Sequence, residues 1–129
     1  MEYIIYCDES DRKGKFYGNF YGGALVRSSD LDIVRSALES EKGKLDLSEV
    51  KWNNVTPHYL EKYQEIMGLF FRFIKEDLVK VRIMFTQQCY QPIGLTKEQK
   101  EQSYFLLYYQ FLKHAFGLQY SNPTSHPIR

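Results

Sequence analysis

Cysteine is scarce in this chain. Cys7 and Cys89 are its only two, lie far apart and form no CxxC pair, too few for a disulfide framework. Both read as reduced core residues. His58, His114 and His126 lack the spacing of a zinc site, and neither cysteine has a histidine at ligand spacing, so zinc is not expected. Long hydrophobic runs are missing too. Nothing approaches the roughly 18 apolar residues that span a bilayer, and MEYIIYCDES carries no basic segment ahead of an apolar stretch. The expectation is a cytoplasmic chain with no membrane contact. Neither charge is in excess: 17 basic against 16 acidic residues leave a net charge of +1. Bulk charge therefore selects no polyanionic or polycationic partner, and any nucleic-acid contact must come from a local patch. No serine sits in GxSxG, no glycine run matches a phosphate-cradling loop, and there is no internal repeat.

What is present fits one domain, 1–129, long enough to bury a core. Aromatics are frequent, with Tyr 11, Phe 9 and Trp 1, mostly at spacings that suit a core rather than an exposed stacking platform. Residues 3–8 read as a central strand and 16–26 as a second, joined through SDRKGK as a hairpin. Gly18, Gly22 and Gly23 weaken that second strand entropically, so they mark a bulge or a close backbone approach. Ser29 with Asp32 resembles a capping box, followed by helical spacing of Leu31, Val34 and Leu38 to about Gly43.

Thr56 and Pro57 supply an N-cap and a first helical position. Tyr59, Tyr63, Ile66, Met67, Phe70, Phe71 and Ile74 then form an apolar stripe that predicts a helix over 57–76. LVKVRIMF, 78–85, has the period of a one-sided or edge strand. Thr96 with Gln99 is another capping box. Residues 103–117, ending at Gly117, are apolar nearly all round, as a helix buried on several sides would be. The order strand, strand, helix, helix, strand, helix implies an α/β chain, here an α+β mixed sheet.

Three clusters can carry chemistry. Asp8 and Glu9 end the first strand; side chains alternate along a strand, so both reach one ion only if the backbone turns there. A hard cation such as Mg²⁺ takes one or two protein carboxylates plus water and substrate phosphates; equally, acids open hairpins in solvent. Glu49, Lys51 and Trp52 form the second cluster, with Lys51 suited to a phosphate or water and Glu49 to a metal. The alternative is Trp52 packed on the core with its charged neighbours solvated. Basic residues form the third: Lys13 and Lys15 in RKGKFYGNFY and Arg82 in KVR suit a nucleic-acid backbone, as His58 at a helix start suits a phosphate, or all are simply solvated.

YIIYCDES at the start, FYGGALV as the second strand and EVKW some forty residues after Asp8 together resemble the domain of unknown function 3800 family, whose members look like ribonuclease H-fold proteins. The resemblance covers most of this chain but only about the first half of a typical member. It implies a ribonuclease H-like sheet and a metal-dependent nuclease with Mg²⁺ or Mn²⁺. Asp8 would be its first metal ligand, Glu9 and Glu49 supporting acids, and Lys51 a substrate or water contact. Two departures stand out: Asp11 follows Asp-Glu-Ser where the family often has glycine, and neither the family's later strand ending in Asp nor its Asp-bearing helix has a match. The expectation is therefore a domain truncated after its third helix, holding Mg²⁺ weakly. Its uncovered sheet edge would associate with itself or with a second chain, either to complete a nuclease or as a non-catalytic interaction module.

Overall fold

A computed structural model describes residues 2–10, 15–87, 89, 90 and 92–118. The hairpin tip carrying Lys13 and the C-terminal stretch carrying His126 lie outside the described residues. Strands β1 (Tyr3–Ser10) and β2 (Tyr17–Arg27) pair antiparallel, Tyr3 opposite Arg27 and Ser10 opposite Phe20. Helices α1 (Ser28–Lys44) and α2 (Leu60–Lys75) follow, with a 3-10 turn at Trp52–Asn54 between them. Strand β3 (Val79–Gln87) then pairs antiparallel with the free side of β2. Short α3 (Lys97–Glu101) leads to α4 (Ser103–Gln110), which continues as a π-helical turn at Phe111–Ala115. The class is mixed α+β, with sheet order β1-β2-β3. Strand β1, expected to be central, lies at an edge, because no described strand pairs with its outer side.

Alternation along the strands assigns the two sheet faces. Ile4, Tyr6 and Asp8 share one face with Val26, Ala24 and Gly22, their partners on β2. Here Val26 and Val79 pack with Val34 of α1 and Phe73 of α2 into the larger core cluster. The buried line on α2 is Tyr63, Ile66 and Phe73, whereas Tyr59, Met67 and Phe71 of the expected stripe stay exposed. The opposite face holds Tyr21, Leu25 and Gly23 and is covered by α4 and the π-turn, whose Phe111 is 0% exposed. Tyr21 stacks edge-on against Tyr108 at 4.9 Å and its hydroxyl donates to the Tyr104 carbonyl at 3.3 Å. The helix over 103–117 is buried on this one side only: Phe105, Leu106 and Tyr109 face solvent.

Both glycine readings for β2 are met. The β2–β3 register slips between Gly18 and Tyr21, with Asn19 at φ 50, which makes the bulge. Gly23 is the close approach, with Tyr6 O, Cys7 Sγ and Phe111 Cζ within 3.3 Å of where a Cβ would stand. The helix starts differ from expectation. Ser29 does not cap α1; Arg27 precedes it and its Nε donates to Asp30 at 2.6 Å while Nη2 reaches the Asp77 carbonyl at 2.9 Å. Thr56 and Pro57 lie in a turn before α2, with the Tyr59 N–H donating to the Thr56 carbonyl at 3.0 Å. The Thr96–Gln99 capping box forms with both of its hydrogen bonds.

Candidate functional site

Strand β1 does not turn at Asp8 but stays paired through Ser10, so its two acids leave on opposite faces. Asp8 opens onto the α1/α2 face, in a shallow cleft lined also by Glu9, Ser10, Phe20, Gly22 and Ile83. Its Oδ1 accepts the Glu9 N–H at 2.9 Å, which holds the carboxylate against its own backbone. Ile83, on the same face, is 65% exposed, so the cleft floor is apolar and open. Glu9 crosses to the α4 side, where its Oε1 accepts the Tyr104 hydroxyl at 3.0 Å.

The second cluster stands in a different cleft. Lys51 Nζ pairs with Glu49 Oε1 at 3.0 Å, both exposed, and the Tyr63 hydroxyl donates to the Glu49 carbonyl at 3.3 Å. Glu49 lines a polar cleft at the start of α2 with Ser48, Asn54, His58 and Lys62. His58 is exposed, its ring 4.7 Å from Tyr59. Trp52 is 85% exposed, so it does not pack on the core. Lys15 is exposed with its Nζ 5.1 Å from the Phe16 ring centroid. Arg82 pairs with Gly23 in register and so sits on the face opposite Asp8, its Nη1 donating to the Val81 carbonyl at 2.9 Å. The structure thus pairs Glu49 with Lys51 and sets Glu49 in one cleft with His58, while Asp8 and Glu9 line another cleft with their side chains on opposite faces of β1 and Arg82 stands apart from Asp8.

Magnesium or manganese at a two-metal site needs several convergent carboxylates. Among the described residues no group of three or more His, Cys, Asp or Glu side chains converges to hold an ion. Asp8 and Glu9 diverge, so the donor set present does not fit such a site. No protein-family model, curated protein or solved structure matches this chain.

Three features escaped the sequence. Arg35 of α1 donates through Nη2 to the Tyr6 hydroxyl at 3.0 Å, a pairing across 29 residues; the helical period that places Val34 inward gives no hint of it. Tyr17, Phe20 and Phe85 make a solvent-facing ring cluster, with centroids 5.2 and 5.5 Å from Phe85, where core packing was expected. The third is the hydroxyl lid of Tyr104 and Tyr108 near the β1 acids. Burial pushes the Tyr108 hydroxyl up, reinforced by Cys7, Glu9, Tyr104 and Asp8.

Burial also pushes the Cys7 thiol up. Its folded pKa then lies above its unfolded one, so its stabilising contribution is complete below the ordinary thiol value of about 8.5 and fades as pH rises through the folded value. Folded protein at pH 8 is expected to react with a thiol probe at exposed Cys89 first and at Cys7 much more slowly. Peptide mapping after timed alkylation checks this, and equal rates would contradict it.

Proposed function

We propose that this chain is an assembly module whose β1 edge takes up a strand of a second polypeptide. The carrying observation is that, among the described residues, β1, eight residues long, is paired on one side only, has no Pro, and carries its only charges, Asp8 and Glu9, towards one end; proline and charge along an edge are what ordinarily discourage strand addition. A cytoplasmic setting accords with the two free thiols, and no helix among the described residues is long and apolar enough to cross a membrane. The test is amide hydrogen exchange. Alternate β1 amides should exchange freely in the dilute chain and slowly in the form isolated from cells that make it; equally fast exchange in both overturns the reading.

A second reading, a metal-dependent nuclease of ribonuclease H-like type, is favoured by the position of Asp8, a carboxylate near a strand end with no ion-pair partner among the described residues. Three antiparallel strands in sequence order accord with that fold. The further strand it calls for would join β1 and bring acids beside Asp8, which the described residues do not supply. Cleavage of RNA or DNA with Mg²⁺ or Mn²⁺, abolished by Asp8→Asn, is the expected result; wild-type protein without cleavage under both ions sinks it.

A further inference from the structure

Two opposite charges stand on the α1/α2 face of β1 without ion-pair partners among the described residues. Asp8 has only the hydrogen bond to the Glu9 N–H, and Arg35 has only the Tyr6 hydroxyl. Glu39, one turn along α1, is already paired with Lys42 at 3.4 Å. Tyr6 and Asp8 share the α1/α2 face, opposite Ala24 and Gly22. Resting on the open-edge reading above, we propose that the strand added to β1 is β1 of a second copy of this chain. The two strands run antiparallel about a two-fold axis at Cys7, and Asp8 of each copy meets Arg35 of the other.

The register follows from symmetry and charge. A two-fold axis perpendicular to the merged sheet keeps each face on its own side, so even residues oppose even ones and odd oppose odd. An axis at Ile5 sets Asp8 against Glu2, and an axis at Asp8 sets it against itself; like charges directly opposite destabilise a pair of strands. An axis at Tyr6 puts Asp8 opposite Ile4. The axis at Cys7 puts Asp8 opposite Tyr6, whose hydroxyl holds the Arg35 guanidinium, and two such ion pairs form per dimer. On the other face Glu9 then falls opposite Ile5, its carboxylate already satisfied by Tyr104. The remaining sheet edge suits strand addition less, because β3 carries Lys80 and Arg82. Pairing β1 on β1 closes at two copies, whereas β1 on β3 would propagate.

Sedimentation equilibrium on the whole chain tests this, with wild type, Asp8→Arg, Arg35→Asp and the double exchange. Wild type is expected to dimerise at micromolar concentration. Each single variant should raise the dissociation constant about tenfold or more, and the double variant should return it close to wild type. Both side chains are exposed, and circular dichroism melting verifies that each variant folds; Asp8→Asn and Arg35→Gln serve if the exchanges do not. A wild-type monomer throughout the micromolar range overturns self-pairing. If β1 amides are nonetheless protected in the form isolated from cells, the open-edge reading survives with a different partner. A dimer indifferent to both charges, or not restored by the double exchange, overturns the register. Open-ended polymers overturn the two-fold in favour of β1 on β3.

Discussion

Phe111→Ala is expected to lower the free energy of unfolding by about 3–5 kcal/mol, a large share of the roughly 5–15 kcal/mol typical of a domain. The ring is 0% exposed and is the main apolar weight that α4 and the π-turn set on their face of the sheet. It lies 6.5 Å from Tyr108 and 5.3 Å from Phe116, centroid to centroid, over Gly23. Removing it deletes the transfer energy of the side chain and leaves a cavity that neighbouring aromatics, fixed by their own contacts, fill only in part. Urea unfolding monitored by circular dichroism gives the magnitude. A second readout is specific to this site: with Phe111 gone, Cys7 loses its cover and its alkylation rate should rise towards that of Cys89. A loss under about 1 kcal/mol would mean that the π-turn does not seat on the sheet.

Gly23→Ala and Gly22→Ala are expected to act in opposite directions although the residues are neighbours. Replacing a strand glycine by alanine gains about 0.5–1 kcal/mol from the unfolded state. At Gly23 that gain is outweighed. The new Cβ would stand 3.0 Å from Cys7 Sγ, 3.1 Å from Tyr6 O and 3.3 Å from Phe111 Cζ. Tyr6 O is backbone, and it cannot retreat without parting β1 from β2. Overpacking of this kind costs about 1–3 kcal/mol, so a net loss of about 1–2 kcal/mol is expected, and more for Gly23→Val. At Gly22 the nearest atom is Ile83 Cγ1 at 3.9 Å, an ordinary contact, and the alanine is expected to be neutral or mildly stabilising. Combining Gly23→Ala with Phe111→Ala should cost less than the sum, since the cavity relieves one of the three contacts. Chemical denaturation of the five variants against wild type decides the matter, and equal effects at the two glycines would contradict it.

Local pattern carried much of this architecture. The glycines of β2 announced both a bulge and a close approach, the two-residue period of 78–85 announced a one-sided strand, and Thr96–Gln99 announced a cap, because each depends on neighbours in the chain. The local cap readings at Ser29 and Thr56 failed, but the larger misses have a different cause. Whether an apolar residue is covered depends on elements far away in sequence: Trp52, Ile83 and Phe105 look like core residues until no element is found above them. The expected central position of β1 failed for the same reason. Of the candidate site, the sequence located the strand-end acids but not their divergence, which depended on whether the backbone turned at Asp8 or remained paired to Ser10. It located Glu49, Lys51 and His58 without showing that Glu49 and His58 share a cleft and that Lys51 pairs with Glu49. Arg35 it could not single out, since only the packing of α1 over β1 sets a guanidinium beside Tyr6.

The placement of β2 between its two partners also sets an order of events. Strands β1 and β2 are separated by a short linker, whereas β2 and β3 are separated by α1, α2 and their connection. Closing the short loop loses far less chain entropy than closing the long one, so the hairpin is expected to form in the early microseconds, and β3 to join only after the helices collapse onto it. A nascent chain emerging from the ribosome would thus carry the outer edge of β1 well before the rest of the sheet exists.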